Sequence, residues 1–108
     1  MKAEVFEKLR KRIVTSLMDI VILSMLRNRS SLSGYDIIVS VHNEFGFLMN
    51  SGTIYSVLYS LERESLIEGK WNQRKRVYTL TRKGEENIKL LLQSSEKILE
   101  TIKEIFDG

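Results

Sequence analysis

The apolar residues of this 108-residue chain change their spacing after Glu64. Before that residue they recur every three or four positions, which is the spacing of one face of an α-helix. In the segment LIEGKWNQRKRVYTLT, residues 66–81, they alternate instead, and the polar NQRK lies between two β-prone runs. Alternation on both sides of a polar centre predicts a β-hairpin. From Thr81 onward the helical spacing returns, so the predicted order is helices, hairpin, helix.

Local signals divide the helical part of the chain into segments. Residues 2–14 form a first amphipathic helix, and the segment after it is apolar nearly all round. Ser33 is followed by Asp36 at the spacing of a capping box, and the helix that starts there is expected to stop at Gly46. The expected N-caps of the four later helices are Thr15 or Ser16, Ser33, Asn50 or Ser51, and Thr81.

Three compact helices followed by a hairpin predict a mainly α winged helix-turn-helix, with a three-helix core and a two-stranded β wing. Three parts are expected along the chain. Residues 1–14 form an N-terminal helix that is accessory to a dimer, residues 15–81 form the DNA-binding domain, and residues 82–108 form a long C-terminal dimerisation helix. The helix that begins near Ser51 is third in its bundle, which is the place of a recognition helix.

Composition argues against several classes of function. The chain has no cysteine and a single histidine, so a thiolate metal site, a cysteine nucleophile or a catalytic triad is not expected. We therefore expect no enzyme, no metal and no cofactor. No apolar run is long enough to span a bilayer, and the start MKAEVFEKLRKR is too charged for a secretory signal. The expectation is a cytoplasmic protein with no membrane contact.

The helix SGTIYSVLYSLERE has an outer side with almost no charge. That side is built from a glycine, hydroxyls and aromatics, and it supplies the candidate DNA-binding residues Ser51, Gly52, Thr53, Tyr55, Ser56, Tyr59 and Arg63. Hydroxyl groups can reach base edges in a major groove whose phosphates repel carboxylates, and free N–H groups near Gly52 suit a phosphate. In the alternative interpretation, the tyrosines pack on neighbouring helices and the serines only fill space.

The basic residues of the chain are concentrated around the hairpin. From Arg63 to Lys83 there are seven basic residues against two acidic ones. Arg74, Lys75 and Arg76 cluster at the expected tip of the wing, where no core needs them and where they repel one another. An anionic DNA backbone would offset this repulsion through counterion release, which makes the three residues candidate DNA contacts. The alternative is a turn whose charges only keep the protein soluble.

The C-terminal segment repeats its apolar residues at heptad-like spacing. A domain of this size has no partner left for such a stripe, which predicts a twofold homodimer. Apolar residues of the first helix, Val5, Phe6, Leu9 and Ile13, are expected to join it. The candidate dimerisation residues are Ile88, Leu91, Leu92, Ile98, Leu99, Ile102, Ile105 and Phe106.

Three segments, SGYDII, SGTIYSVLYSLERESLIEGKW and RVYTLTRKGEE, resemble the PadR family of winged-helix transcriptional regulators over about residues 16–84. The chain departs from the usual family pattern in having Ser33 in place of a histidine, Ser56 in place of a proline, and a short wing without glycines. The positions that match the family signature are Tyr35, Gly52, Thr53, Tyr55, Leu58, Leu61 and Glu62, followed after the wing by Tyr78, Leu80, Thr81 and Gly84.

The resemblance implies a homodimeric repressor that binds double-stranded DNA at a palindromic operator. In such proteins a small-molecule effector bound near the dimer interface sometimes relieves repression. The resemblance also favours Tyr35 as a phosphate contact over a residue that fills a gap in the core. Two other functions stay open at this point. One is a winged-helix protein–protein adaptor that works through its terminal helix, and the other is a small-molecule-sensing regulator with a pocket at the dimer interface.

Overall fold

A computed structural model describes residues 2–108, and within them it contains six α-helices and one antiparallel sheet. Met1, the first residue of the expected N-terminal part, lies outside the described residues. The elements in chain order are α1 (Lys2–Ser16), α2 (Met18–Asn28), β1 (Leu32–Ser33), α3 (Gly34–Phe45), α4 (Ser51–Arg63), β2 (Ile67–Asn72), β3 (Lys75–Leu80), α5 (Arg82–Gln93) and α6 (Ser95–Asp107). The winged helix-turn-helix is confirmed, with α2, α3 and α4 as its three-helix core and β2 and β3 as its wing.

The boundary between α1 and α2 differs from the one expected. Because α1 extends through Ser16, Thr15 and Ser16 lie inside it, and the predicted cap at either residue is wrong. Leu17 joins the two helices without a side-chain cap. Its N–H donates to the Ile13 carbonyl and its carbonyl accepts from Val21, each at 3.0 Å. The backbone hydrogen bonds therefore continue across the junction, and no cap is needed there.

The other helix termini follow the local signals in the sequence. At the start of α3, Ser33 Oγ accepts from the Asp36 N–H at 3.1 Å, and the Asp36 carboxylate accepts from the Ser33 N–H at 3.0 Å. That backbone hydrogen bond is the main cause that lowers the pKa of Asp36 below its usual value. Asn50 caps α4, Thr81 caps α5, and Gly46 ends α3 with a φ of 82°.

The sheet has a third strand that the hydrophobic pattern did not reveal. Its strand order is β1-β3-β2, so the short β1 lies on the side of β3 away from β2. Leu32 of β1 pairs with Tyr78 of β3, while Gln73 and Arg74 form the tight turn between β2 and β3. A strand of two residues is too short to show a period of two in the sequence.

The expected single C-terminal helix is divided at Ser94 into α5 and α6. Ser94 Oγ donates to the Leu90 carbonyl at 3.0 Å, and the Ser94 N–H is shared between the carbonyls of Leu90 and Leu91 at 3.1 Å each. A serine hydroxyl that bonds back to the preceding turn competes with the regular helix pattern and commonly bends it. The two helices together still occupy the C-terminal segment that the heptad-like stripe predicted.

The core lies between α2, α3 and α4, and α5 covers it from the side of α2. Ile88 of α5 is completely buried in this core. Its expected place at a dimer interface is therefore wrong, since α5 packs against α2 of the same chain. The largest fully buried side chains are Met18, Ile22, Leu23, Leu26, Ile37, Val41, Ile54, Leu58, Ile67 and Ile88.

A Schellman motif ends α4 and turns the chain into β2. The Leu66 N–H donates to the Leu61 carbonyl at 2.9 Å, and the Ser65 N–H donates to the Glu62 carbonyl at 3.0 Å. Ser65 has a φ of 63°, the left-handed conformation that glycine usually provides at this position. This turn thus sets the direction in which the wing leaves α4.

The start of α5 is fastened to the same turn. Thr81 Oγ1 donates to the Ser65 carbonyl at 2.6 Å, and the Thr81 N–H donates to the Leu66 carbonyl at 3.2 Å. A Cβ atom at Gly84 would lie only 1.9 Å from the Leu66 carbonyl oxygen. Because the clashing atom belongs to the backbone, it cannot move aside by a rotamer change.

We expect Gly84→Ala to lower the free energy of unfolding by about 1–3 kcal/mol or more, since the added methyl group overpacks the junction of α4, β2 and α5. Thermal and urea unfolding followed by circular dichroism would measure the change. Arg82→Ala is the matched control, because Arg82 is exposed in the same first turn of α5. Equal stability of the two variants would contradict the tight junction described above.

Candidate nucleic-acid interface

The outer side of α4 is exposed along the whole helix. Its inner side is fixed by Ile54, Leu58 and Leu61, which are buried in the core. Of the seven candidate contacts on α4, Thr53 is half-buried and the others are exposed, namely Ser51, Gly52, Tyr55, Ser56, Tyr59 and Arg63. The single carboxylate of α4, Glu62, is turned towards the wing. The exposed side therefore presents hydroxyl, aromatic and cationic groups without an opposing negative charge.

The two tyrosines of α4 differ in their surroundings. A Cβ atom at Gly34 would lie 2.6 Å from the Tyr55 ring, so Tyr55 packs closely on the first residue of α3 and keeps 47% of its surface exposed. Tyr59 is 66% exposed, and the Arg63 guanidinium lies 5.7 Å from the centre of its ring. The alternative interpretation, in which the tyrosines pack on neighbouring helices, therefore applies in part to Tyr55. Tyr59 is available to a partner.

The N-terminus of α4 does not offer the free N–H group that was expected at Gly52. Asn50 Oδ1 accepts a hydrogen bond from the Gly52 N–H at 2.7 Å. A Cβ atom at Gly52 would approach the same oxygen to 3.0 Å, which is tighter than ordinary contact. Gly52 thus allows the cap to form, and a phosphate near this end of α4 would have to bind through other groups.

The cationic cluster expected at the wing tip is divided in the structure. Arg74 lies in the turn and Lys75 is the first residue of β3, and both side chains are exposed. Arg76 is directed back towards α4 instead, with its Nη2 atom 2.6 Å from Glu62 Oε2. Its assignment as a free tip residue is therefore wrong, since the Arg76 guanidinium already has an anionic partner.

The Glu62–Arg76 ion pair links the middle of the wing to α4. The Arg76 guanidinium lies 5.7 Å from the Trp71 ring centre and 5.9 Å from that of Tyr78. A Cβ atom at Gly69 would lie 2.7 Å from Arg76 Nε, so the missing side chain at Gly69 makes room for the arginine. Sequence reasoning had no signal for this link beyond Glu62 itself, because the pairing depends on how the wing folds over α4.

A cleft of about 520 Å³ separates α4 from the wing. Burial raises the pKa of Tyr78, which lies in this cleft, above its usual value. Tyr59 and Arg63, which are exposed, are part of the lining of the cleft. The lining residues are Tyr55, Tyr59, Glu62, Arg63, Arg76 and Tyr78.

Tyr35 is the second residue of α3 and is 66% exposed. The capping box of Ser33 and Asp36 fixes the backbone on both sides of it. Its side chain therefore does not fill a gap in the core, and its phenol is available to a partner.

The C-terminal helices leave an apolar surface uncovered. Leu99, Ile105 and Phe106 of α6 are between 63% and 73% exposed, and no residue of α6 is buried. Ile98 and Ile102 are half-buried, Leu92 is exposed, and Leu91 packs partly against the core. Exposed Leu90 was not among the expected residues. At the other end of the chain, Val5 and Phe6 of α1 are also exposed.

Within residues 2–108, no group of acidic, histidine or cysteine side chains is arranged to hold a metal ion. Across the same residues, no helix is both long and apolar enough to cross a membrane.

Comparison with protein families gives a match for residues 22–90, which contain most of the core, the wing and most of α5. The matching family is described as the transcriptional regulator PadR-like family. The chain belongs to this family. The expectation that it is not an enzyme agrees with membership, because the family consists of transcriptional regulators.

Solved structures show the same fold as this PadR-like regulator. A PadR family regulator from Eggerthella lenta has a TM-score of 0.79 at 15% identity, over 99% of this chain and 96% of that one. A PadR family regulator from Clostridium difficile has a TM-score of 0.70 at 26% identity, over 85% and 99%. Bacillus subtilis PadR, solved in complex with operator DNA, has a TM-score of 0.62 at 30% identity, over 70% of this chain and 46% of that one. No curated protein matches the chain significantly.

We expect Arg76→Ala to lower the free energy of unfolding of this PadR-like regulator by about 1–2 kcal/mol, because it leaves the Glu62 carboxylate without its cationic partner. Solvent screens part of the interaction, since the two side chains are 32% and 31% exposed. The fluorescence of Trp71, the only tryptophan, should change as well. Arg74→Ala is the control that should alter neither property. Identical melting curves and spectra for the two variants would contradict the link between wing and helix.

Proposed function

We propose that this PadR-like regulator binds double-stranded DNA sequence-specifically as a homodimer and represses transcription. The proposal depends on one observation. The exposed side of α4 carries hydroxyl, tyrosine and arginine side chains, and the only carboxylate of α4 is paired with Arg76. A chromosomal operator would place the protein in the cytoplasm.

The chemistry of α4 suits the major groove. Ser56 and Tyr59 lie at the middle of the exposed side, and both carry O–H groups that can meet donors or acceptors on base edges. Arg63 lies one turn beyond Tyr59 at the end of α4, where a guanidinium suits a phosphate. The operator complex of Bacillus subtilis PadR supports this proposal, because that protein shares 30% identity and the fold over 70% of this chain.

The wing supplies a second type of contact. Arg74 and Lys75 are exposed and carry no ion pair within residues 2–108. Cations at this position contact the DNA backbone, which fixes the orientation of the protein but carries no sequence information. Tyr35, exposed at the start of α3, would act in the same way through its hydroxyl.

The uncovered apolar surface of α6 supports the homodimer. An amphipathic helix of thirteen residues with no buried side chain gains little stability by itself, so it needs a partner for its apolar side. A second copy of the chain offers the same surface, together with Val5 and Phe6 of α1. A twofold dimer would place two α4 helices on half-sites about one helical turn apart, which would match a palindromic operator.

We expect the purified protein to select a defined duplex from a random pool, and Tyr59→Ala to change which sequences are preferred. A lost base contact reduces discrimination by about 1–3 kcal/mol, while stability should change by no more than about 0.5 kcal/mol, because Tyr59 is largely exposed. The Arg74→Ala/Lys75→Ala double variant is the comparison. It should weaken binding to all duplexes equally. The slope of log affinity against log salt should flatten by roughly 0.9 per lost phosphate contact.

Selection by the wild type tests DNA binding itself, and the two variants test the contacts of α4 and of the wing. Titrations against matched and mismatched duplexes over a salt series would measure both effects, and melting curves would show that the variants are folded. A protein–protein adaptor would select no duplex. Unchanged sequence preference in Tyr59→Ala, or an unchanged salt slope in the wing variant, would remove the respective contact from the proposal.

We expect Leu99→Asp to convert the dimer to monomers, because it places a charge on the exposed apolar side of α6. Thr101→Asp is the matched control, since it introduces the same charge two residues away, on the opposite side of the helix. Sedimentation velocity at micromolar concentration measures the outcome. A wild-type chain that sediments as a stable monomer would refute the dimer, and dissociation by both variants would show that the apolar side is not the specific contact.

A further inference from the structure

α1 has an inner and an outer side. The inner side faces the domain, where Val14 is buried and Arg10 Nη1 donates to the Phe45 carbonyl at 2.7 Å. Val5 and Phe6 near the N-terminus of the helix are exposed and apolar. The outer side, which we call the α1 basic face, carries Lys8, Lys11 and Arg12.

The α1 basic face is strongly charged, with Glu4 and Glu7 each one turn before one of its lysines. Within residues 2–108, none of its three cations makes an ion pair, whereas Arg10 on the inner side is within 4.0 Å of Glu7. Three cations within five residues of one helix repel each other, and no ion pair within residues 2–108 offsets that repulsion. A basic face alone indicates no more than solubility. Whether it has a role in binding depends on its position relative to α4.

Two clefts connect the α1 basic face to α4. A cleft of about 450 Å³ is lined by the three cations together with Thr15 and Ser16. A second cleft, of about 270 Å³, lies between the same Thr15 and Ser16 and the residues Ser56 and Ser60 of α4, and the carboxylates of Asp19 and Glu64 also line it. Because the two clefts share these hydroxyl residues, a continuous concave surface leads from the outer side of α4 to the cations. From Lys8 to Ser16 it extends about 12 Å along the helix axis.

A further contact places the α1 basic face beside the start of α4. The Lys11 Nζ atom lies 5.5 Å from the centre of the Phe47 ring, in the loop that leads into α4. Ser56 and Ser60 face α1, whereas Tyr55 and Tyr59 face the cleft of the wing. The exposed side of α4 is therefore flanked by exposed cations on both sides, with the wing tip on one and α1 on the other.

We propose that the α1 basic face binds backbone phosphates of the same duplex, on the side of α4 opposite the wing. This proposal rests on the proposed function of α4 and extends it to a helix that lies outside the residues 22–90 matched by the family. Lys8, Lys11 and Arg12 neutralise phosphates that flank the base pairs read by α4, and the hydroxyl of Ser16 lies between these cations and the helix. The contacts add affinity and fix orientation without reading sequence.

The first experiment compares two triple variants with equal loss of charge. Lys8→Ala/Lys11→Ala/Arg12→Ala removes the α1 basic face, and Lys89→Ala/Lys97→Ala/Lys103→Ala removes three exposed lysines from α5 and α6. Affinity for the duplex selected by the wild type is measured over a salt series. The slope of log affinity against log salt should flatten by roughly 0.9 per lost contact in the first variant only. Sequence preference should be unchanged in both.

A rescue variant, Lys8→Arg/Lys11→Arg/Arg12→Lys, keeps all three charges and should bind with the wild-type slope. Melting curves near those of the wild type show that the alanine variants are folded, as expected for alanine on an exposed helix side. A wild-type slope in the α1 variant, or an equal decrease in both alanine variants, would overturn the proposal, because the effect would then be absent or due to net charge alone.

The second experiment locates the contact on the DNA. The selected duplex is shortened from its ends one base pair at a time. Wild-type affinity should fall at the step that removes the phosphates under α1, and the α1 variant should show no fall at that step. Identical responses would overturn the proposal.

Vesicles containing anionic phospholipids test a membrane surface as the rival partner. Vesicle binding that depends on the α1 basic face, combined with an unchanged DNA salt slope, would overturn the proposal. A wild-type chain that selects no duplex would refute the proposed function and this proposal together, whereas a DNA-binding wild type with an unaffected α1 variant would refute this proposal alone.

Discussion

The position of α4 depends on the close packing of three backbone segments around Gly84. The Schellman turn at Ser65 and Leu66 ends α4 and begins β2, and Thr81 at the start of α5 donates two hydrogen bonds to the carbonyls of that turn. Only a residue without a side chain fits where α5 passes the Leu66 carbonyl. One junction thus fixes the end of α4, the root of the wing and the entry into the C-terminal helices, so none of the three can move independently.

From this junction the wing extends beside α4, and the Glu62–Arg76 ion pair holds the two together farther along. This contact divides the cations of the hairpin into two groups with different roles. Arg76 neutralises the only carboxylate of α4 and stays between helix and wing, while Arg74 and Lys75 remain exposed at the tip. An acidic residue is therefore compatible with a surface proposed to bind phosphates, because its charge is compensated before any partner arrives.

The helices at the two ends of the chain stand in contrast to the packed centre. α6 buries no side chain within the protomer, and α1 contributes a single buried residue, Val14. Both helices therefore present surfaces that the domain does not use, which are an apolar side on α6 and, on α1, a basic face and exposed apolar residues near the N-terminus. The apolar faces suit a second copy of the chain, and the basic face suits an anion. The packed centre supplies the fold, and the terminal helices supply surfaces for assembly.

The sequence by itself determined the features whose physical causes lie within a few residues of each other. The capping box of Ser33 and Asp36, the caps at Asn50 and Thr81, and the alternation that forms the hairpin are of this kind, because a cap or a period acts over one or two turns. The resemblance to PadR proteins also followed from local motifs. Only the tertiary structure decided which partners distant residues have. Ile88 faces α2 instead of a second chain, and Arg76 pairs with Glu62, 14 residues away, instead of projecting from the tip. The sequence pattern marks each side chain as apolar or charged, but the path of the chain decides which surface it faces.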